Sequence, residues 1–82
     1  MTVNPPLLTL HRVNDLVYAV KQVGAGLVGH LKRIGAVWKF KAVGVEADGS
    51  LIPGGGPFTH WHNVTFDAPN EALVSATLTS PL

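Results

Sequence analysis

The sequence predicts an α+β fold, with one helix over about residues 15–34 packed on a four- to five-stranded, mainly antiparallel sheet. Three observations predict it. Apolar residues recur at helical spacing through Leu16, Val20, Val23, Leu27, Leu31 and Ile34. From Val37 onward the pattern changes to a period of two, the signature of half-buried strands. Finally, 82 residues make one small domain over residues 1–82, because a chain this short buries only about 60% of its unfolded surface. A two-domain enzyme and a doubly wound nucleotide-binding domain are excluded on length alone.

Taken in order, residues 1–6 form a flexible tail ending in Pro5-Pro6, which starts neither a helix interior nor a central strand. Residues 7–13 are a short strand with Leu8 and Leu10 on one face. The helix then starts at Asn14 as N-cap, with Asp15 at the positive end of the dipole and Val13 against Tyr18 as a staple. It stops at Lys32, Arg33 and a Gly35 placed for the C′ position. Gly24, Gly26 and Gly29 each cost about 0.5–1 kcal/mol inside a helix, so a kink or break is expected near Gly24–Gly26. If residues 15–23 are instead a strand, as their valines favour, the fold becomes a small SH3-like β-barrel.

Beyond Gly35, Trp38, Phe40 and Ala42 share one strand face, and Lys39 and Lys41 share the other with Val37 and Val43. Ala47-Asp48-Gly49-Ser50 is a hairpin turn, and Leu51-Ile52 begins the return strand before Pro53 interrupts it. Residues 53–57, Pro-Gly-Gly-Gly-Pro, are a loop, read as a mobile lid or a tight connection. Residues 58–66 and 72–79 are read as two further strands, separated by a turn over residues 67–71.

Composition narrows the function. Charged residues are 13% against about 25% in ordinary soluble domains, while apolar residues reach 46%. So few charges leave apolar surface on a monomer, and the expectation is a homodimer or higher oligomer. A net charge of +1 argues against electrostatic capture of nucleic acid or membrane, and no run is long enough to span a bilayer. Without cysteine there are no disulfides, thiolate nucleophiles or sulfur-bound zinc. With no secretory signal among the first residues, a cytoplasmic location is the expectation.

Four constellations bear on chemistry. Gly24-Ala25-Gly26-Leu27-Val28-Gly29 matches the dinucleotide fingerprint, with Glu46 near a ribose-binding position. The helix after it is too short for a crossover, however, and the residues beyond Glu46 read as a meander, so close packing on small residues is the favoured reading. His60-Trp61-His62 is the leading candidate site: on a strand, His60 and His62 share a face with Phe58, Val64 and Phe66, about 6–7 Å apart. Imidazoles in apolar company need hydrogen-bond partners, a ligand or a metal. As metal ligands they are weak candidates, because no spacing singles out a third among His11, His30, Asp67 and Glu71. Trp38 is expected in the core, and Trp61, on the polar face, is expected to be exposed as an interface or stacking residue. Lys21, Lys32, Arg33, Lys39 and Lys41 are expected to be solvated. The Asn63-Val64-Thr65 sequon falls inside a predicted strand and is discounted, and no Ser-His-Asp triad, paired-carboxylate spacing or Lys-bearing phosphate loop is present.

The function these observations favour is a non-enzymatic binding module with a pocket between helix and sheet or at a subunit interface. The pocket would be lined by His60, His62, Trp61 and Trp38, with residues 53–57 at its mouth, and would take a small, partly aromatic molecule or a protein partner. No cofactor is implied. One alternative is a small hydrolase-, lyase- or isomerase-like enzyme using His60 or His62 as general base or metal ligand, with Asp67 or Glu71 orienting the ring. Another is a nucleic-acid-binding small barrel.

Overall fold

Glycines with positive φ decide how the middle of the chain folds. Gly24, Gly26 and Gly35 have φ of 83°, 82° and 62°, a region open to glycine and costly for other residues. They turn the chain twice between antiparallel strands. In the computed structural model, which describes residues 7–79, β1 is Leu8–Asn14, β2 Val17–Gln22, β3 Gly26–Ile34 and β4 Val37–Val45. The α+β class holds, with one helix on a mainly antiparallel, six-stranded sheet. The helix expected over residues 15–34 does not exist; that stretch is the β2–β3 hairpin, and the single α-helix among the described residues, α1, is Glu71–Leu78.

The helical spacing misleads because half of its stripe lies near turns. Val20 and Leu31 are fully buried, but Leu16, Val23 and Ile34 are 54%, 65% and 47% exposed. Asn14 caps no helix: its side chain accepts the Leu16 N–H at 2.8 Å and closes the β1–β2 turn. Residues 15–23 thus contain the strand that the barrel alternative requires, yet the sheet stays open. The tail read over residues 1–6 lies outside the described residues.

One face of the sheet is apolar and the other polar. Cross-strand rows place Leu10 beside Val20, Tyr18 beside Leu31, and Leu31 beside Phe40. These residues meet Phe66, Val74 and Leu78 in the core. Trp38 lies there too, edge-on to Tyr18 at a centroid distance of 5.5 Å. Gly29 is required in this packing: a Cβ there would stand 2.5 Å from the Phe40 ring and 2.7 Å from the Lys41 carbonyl.

The far side of β4 changes partner along its length. Its first residues pair β6, Thr65–Phe66, and its last pair β5, Leu51–Pro53. Residues 58–66 are therefore not one strand. A 3-10 turn occupies Thr59–Trp61, and Asn63 at φ 75° breaks the extended run before β6.

Residues 72–79 are likewise helix where strand was expected. The Asn70 side chain accepts the Leu73 N–H at 3.0 Å, an N-cap that commits the residues after it to α1. The helix lies along the free edge of β1, where the Leu10 N–H donates to Glu71 Oε2 and the Leu8 N–H to Ser75 Oγ. Four helical residues rise about 6 Å and two strand residues about 6.6 Å, so acceptors at i and i+4 meet donors at i and i+2. An edge left open would invite pairing with another chain. Among the described residues no helix is long and apolar enough to cross a membrane.

Candidate functional site

The polar face of the sheet carries a cleft on the side away from α1. Alternation along β3 and β4 puts His30, Lys32, Lys39, Lys41 and Val43 on this face, with His30 directly opposite Lys41 and Lys32 opposite Lys39. The β4–β5 hairpin folds over their ends. Its turn is fixed by Asp48, whose carboxylate accepts from the Ser50 hydroxyl and then from the Ser50 backbone N–H, which hold its pKa below the usual value. Leu51, Pro53 and Gly54 then form one wall, and His62 closes the end. The cleft is open to solvent on one side and has a volume of about 390 Å³, within the roughly 300–1,000 Å³ of small-molecule sites. An apolar cleft of about 300 Å³ adjoins it past Val43, lined by Leu27, Val28, Ile52 and Pro57.

The loop of residues 53–57 is a tight connection. The Gly54 N–H donates to the Ala42 carbonyl at 2.7 Å, and the Thr59 hydroxyl to the Gly54 carbonyl at 2.7 Å. Gly56 packs its backbone directly on Val43 and Gly44.

His62 fills the place in the β4 edge where one partner ends and the next begins. Its Nδ1 accepts the Ala42 N–H at 3.0 Å. Nδ1 as acceptor puts the ring hydrogen on Nε2 in the neutral tautomer, and that edge of the ring faces Gly54 at the cleft wall. Replacing His62 with Ala leaves the part-buried Ala42 N–H unpaired. The expected cost is about 1–3 kcal/mol in urea-induced unfolding, with Gln losing less than Ala because its side chain keeps an acceptor. Equal stabilities for wild type and His62→Ala would contradict the assignment.

His30 has its pKa lowered below 6.5, first by burial and then by the nearby Lys32 ammonium. The unfolded chain therefore takes up the His30 proton at a higher pH than the folded protein does. His30 imposes no penalty well above pH 6.5, and stability is lost as the pH falls through 6.5 toward the folded value. Thermal melts of wild type and His30→Gln between neutral and mildly acidic pH check this. The variant is expected to lose less stability on acidification, and parallel curves would refute the sign.

Lys41 donates to Asn63 Oδ1 at 2.5 Å, and the left-handed backbone of Asn63 aims that amide at it. No carboxylate among the described residues lines the cleft. Among the described residues, no carboxylate accepts a hydrogen bond from the imidazole of His30, His60 or His62, and Glu71 Oε2 is occupied by the Leu10 N–H.

Of His60, His62, Trp61 and Trp38, only His62 lines this cleft, together with Pro53 and Gly54 of the loop expected at its mouth. His60 is exposed on the 3-10 turn, so the shared strand face that would have joined it to His62 is absent. Trp61, expected to be exposed, is half-buried against the core, and Trp38 is in the core on the opposite side of the sheet. Asp67 is exposed between β6 and α1. No group of three or more metal-ligating side chains is present among the described residues. Gly24 and Gly26 serve the hairpin turn and Gly29 makes room for Phe40, so the dinucleotide fingerprint opens no helix. Lys32 and Lys41 become legible as a pair only once residues 26–34 are read as a strand in period-two register with β4. Comparison with protein-family models, curated proteins and solved structures finds no match to this chain.

Proposed function

We propose that this chain is a non-enzymatic binding module, assembled as a homo-oligomer, that holds a small, partly aromatic molecule in the cleft between the polar face of β3–β4 and residues 51–62. The cleft carries this reading. Its volume suits such a ligand, its walls at Val43, Leu51 and Pro53 are apolar, and a few polar groups converge on it. A general-base role for a histidine is less well supported, because no orienting carboxylate reaches an imidazole among the described residues.

Self-association is supported by large apolar side chains left in water, among them Val13, Leu16, Val23 and Leu73, on a chain with few charges to offset them. An aromatic fragment library screened by amide chemical shifts tests the site. Hits are expected to move Ala42, Val43 and Gly54 together; shifts confined to other surfaces would sink the proposal. Sedimentation at micromolar concentration tests the assembly, and a monomer there removes the oligomer from it.

A further inference from the structure

We infer that the ligand of this cleft is an organic anion, a carboxylate or phosphate monoester on a small apolar or aromatic body. The inference rests on the binding-module reading above and names its ligand class.

Charge segregation carries it. All four lysines of the chain, Lys21, Lys32, Lys39 and Lys41, fall on the polar face of the sheet, as the strand register requires. The acidic residues lie elsewhere: Asp15, Glu46 and Asp48 at or beside turns, and Asp67 and Glu71 in or before α1. Among the described residues, no strand contains Asp or Glu. A net charge of +1 therefore conceals a strand face on which the charges are all positive.

Within that face the cleft gathers every ionisable group it has from the basic side: His30, Lys32, Lys41 and His62. Lys32 stands directly across from Lys39, a like-charge pairing that disfavours the sheet. The only side-chain partner of these lysines among the described residues is the neutral Asn63 amide on Lys41. Two ammoniums and the His62 Nε2–H form a set made entirely of donors. Such a set is satisfied by oxygen acceptors bearing negative charge. The walls at Leu51 and Pro53 require that the anion carry an apolar body. A nucleic-acid strand fits less well, because Tyr18, Trp38 and Phe40 face the core and Trp61 packs against it, so none of the four is offered on this face for bases to stack on.

The test is an amide-shift titration of the full chain with phenyl phosphate, benzoate, benzyl alcohol, benzylamine and an oligothymidylate. Phenyl phosphate and benzoate are expected to move Ala42 and Gly54 and to bind less tightly as salt rises from about 50 to about 300 mM. Lys32→Gln and Lys41→Gln are each expected to weaken them about fivefold, and Lys21→Gln, on the same face outside the cleft, to leave them unchanged. Lys32 is exposed, so its variant keeps the fold. Benzyl alcohol or benzylamine binding as tightly as benzoate overturns the anion while leaving the cleft a binding site. An oligothymidylate binding far more tightly than phenyl phosphate overturns it in favour of a nucleic-acid backbone. If no compound binds, both this inference and the reading it rests on fall.

Discussion

Phe40→Ala is expected to cost about 3–5 kcal/mol, a large share of the roughly 4–12 kcal/mol that about 0.05–0.15 kcal/mol per residue gives a domain of 82 residues. The ring is fully buried and lies against Gly29, where a Cβ would sit 2.5 Å from one ring carbon and 2.6 Å from another. Gly29→Ala should therefore destabilise by about 1–3 kcal/mol through overpacking. The two changes share a cause, so they should not add. With the Phe40 ring removed, the methyl at position 29 loses its main obstacle and partly fills the space left behind. Rescue stays partial, because the Lys41 carbonyl, 2.7 Å from that Cβ, is backbone and does not leave with the ring. Denaturant unfolding of wild type, both single variants and the double variant measures the coupling. Additive losses would show that Gly29 and Phe40 are not the packed pair described.

The strand that carries Phe40 also separates the legible part of the fold from the rest. The alternation of Trp38, Phe40 and Ala42 against Lys39 and Lys41 is legible residue by residue, because a strand with one buried face must alternate, and β4 does. The Asp48-Gly49 turn is equally legible, since Gly49 takes the φ of 91° that such a turn demands. Residues 16–34 mislead for a physical reason. Two strands and two turns happen to set apolar residues at intervals of three and four, and only burial separates Val20 and Leu31 in the core from Leu16, Val23 and Ile34 outside it. The glycines at 24 and 26, which spoil a helix, are the signal that a turn lies there. At the candidate site, His62 is visible as an imidazole needing a partner. That the partner is the Ala42 N–H depends on where β5 and β6 exchange along β4, a tertiary fact no local pattern carries.

Gly56→Ala is expected to be as damaging as the core change and to remove the cleft with it. Gly56 has φ 85°, and a Cβ there would collide with the Val43 carbonyl oxygen and stand 3.1 Å from Gly44 Cα. Both obstacles are backbone of β4, so relief comes only by lifting residues 53–57 off that strand. That motion strains the Gly54 N–H bond to Ala42 and shifts Pro53 and Gly54, which form the cleft wall. Left-handed strain alone costs about 1–2 kcal/mol, and the clash adds about 1–3 kcal/mol. Gly49→Ala separates the two contributions. Gly49 has a similar φ of 91° with nothing within 4 Å of its Cβ position, so it bears the conformational strain without the collision. Gly49→Ala should therefore lose about 1–2 kcal/mol and keep its cleft, while Gly56→Ala loses more and no longer gives shifts at Ala42 and Gly54 with any ligand of the wild-type cleft. Equal losses in the two variants would mean that the loop yields without resistance, and that the wall of the cleft is not held by the contact between Gly56 and β4.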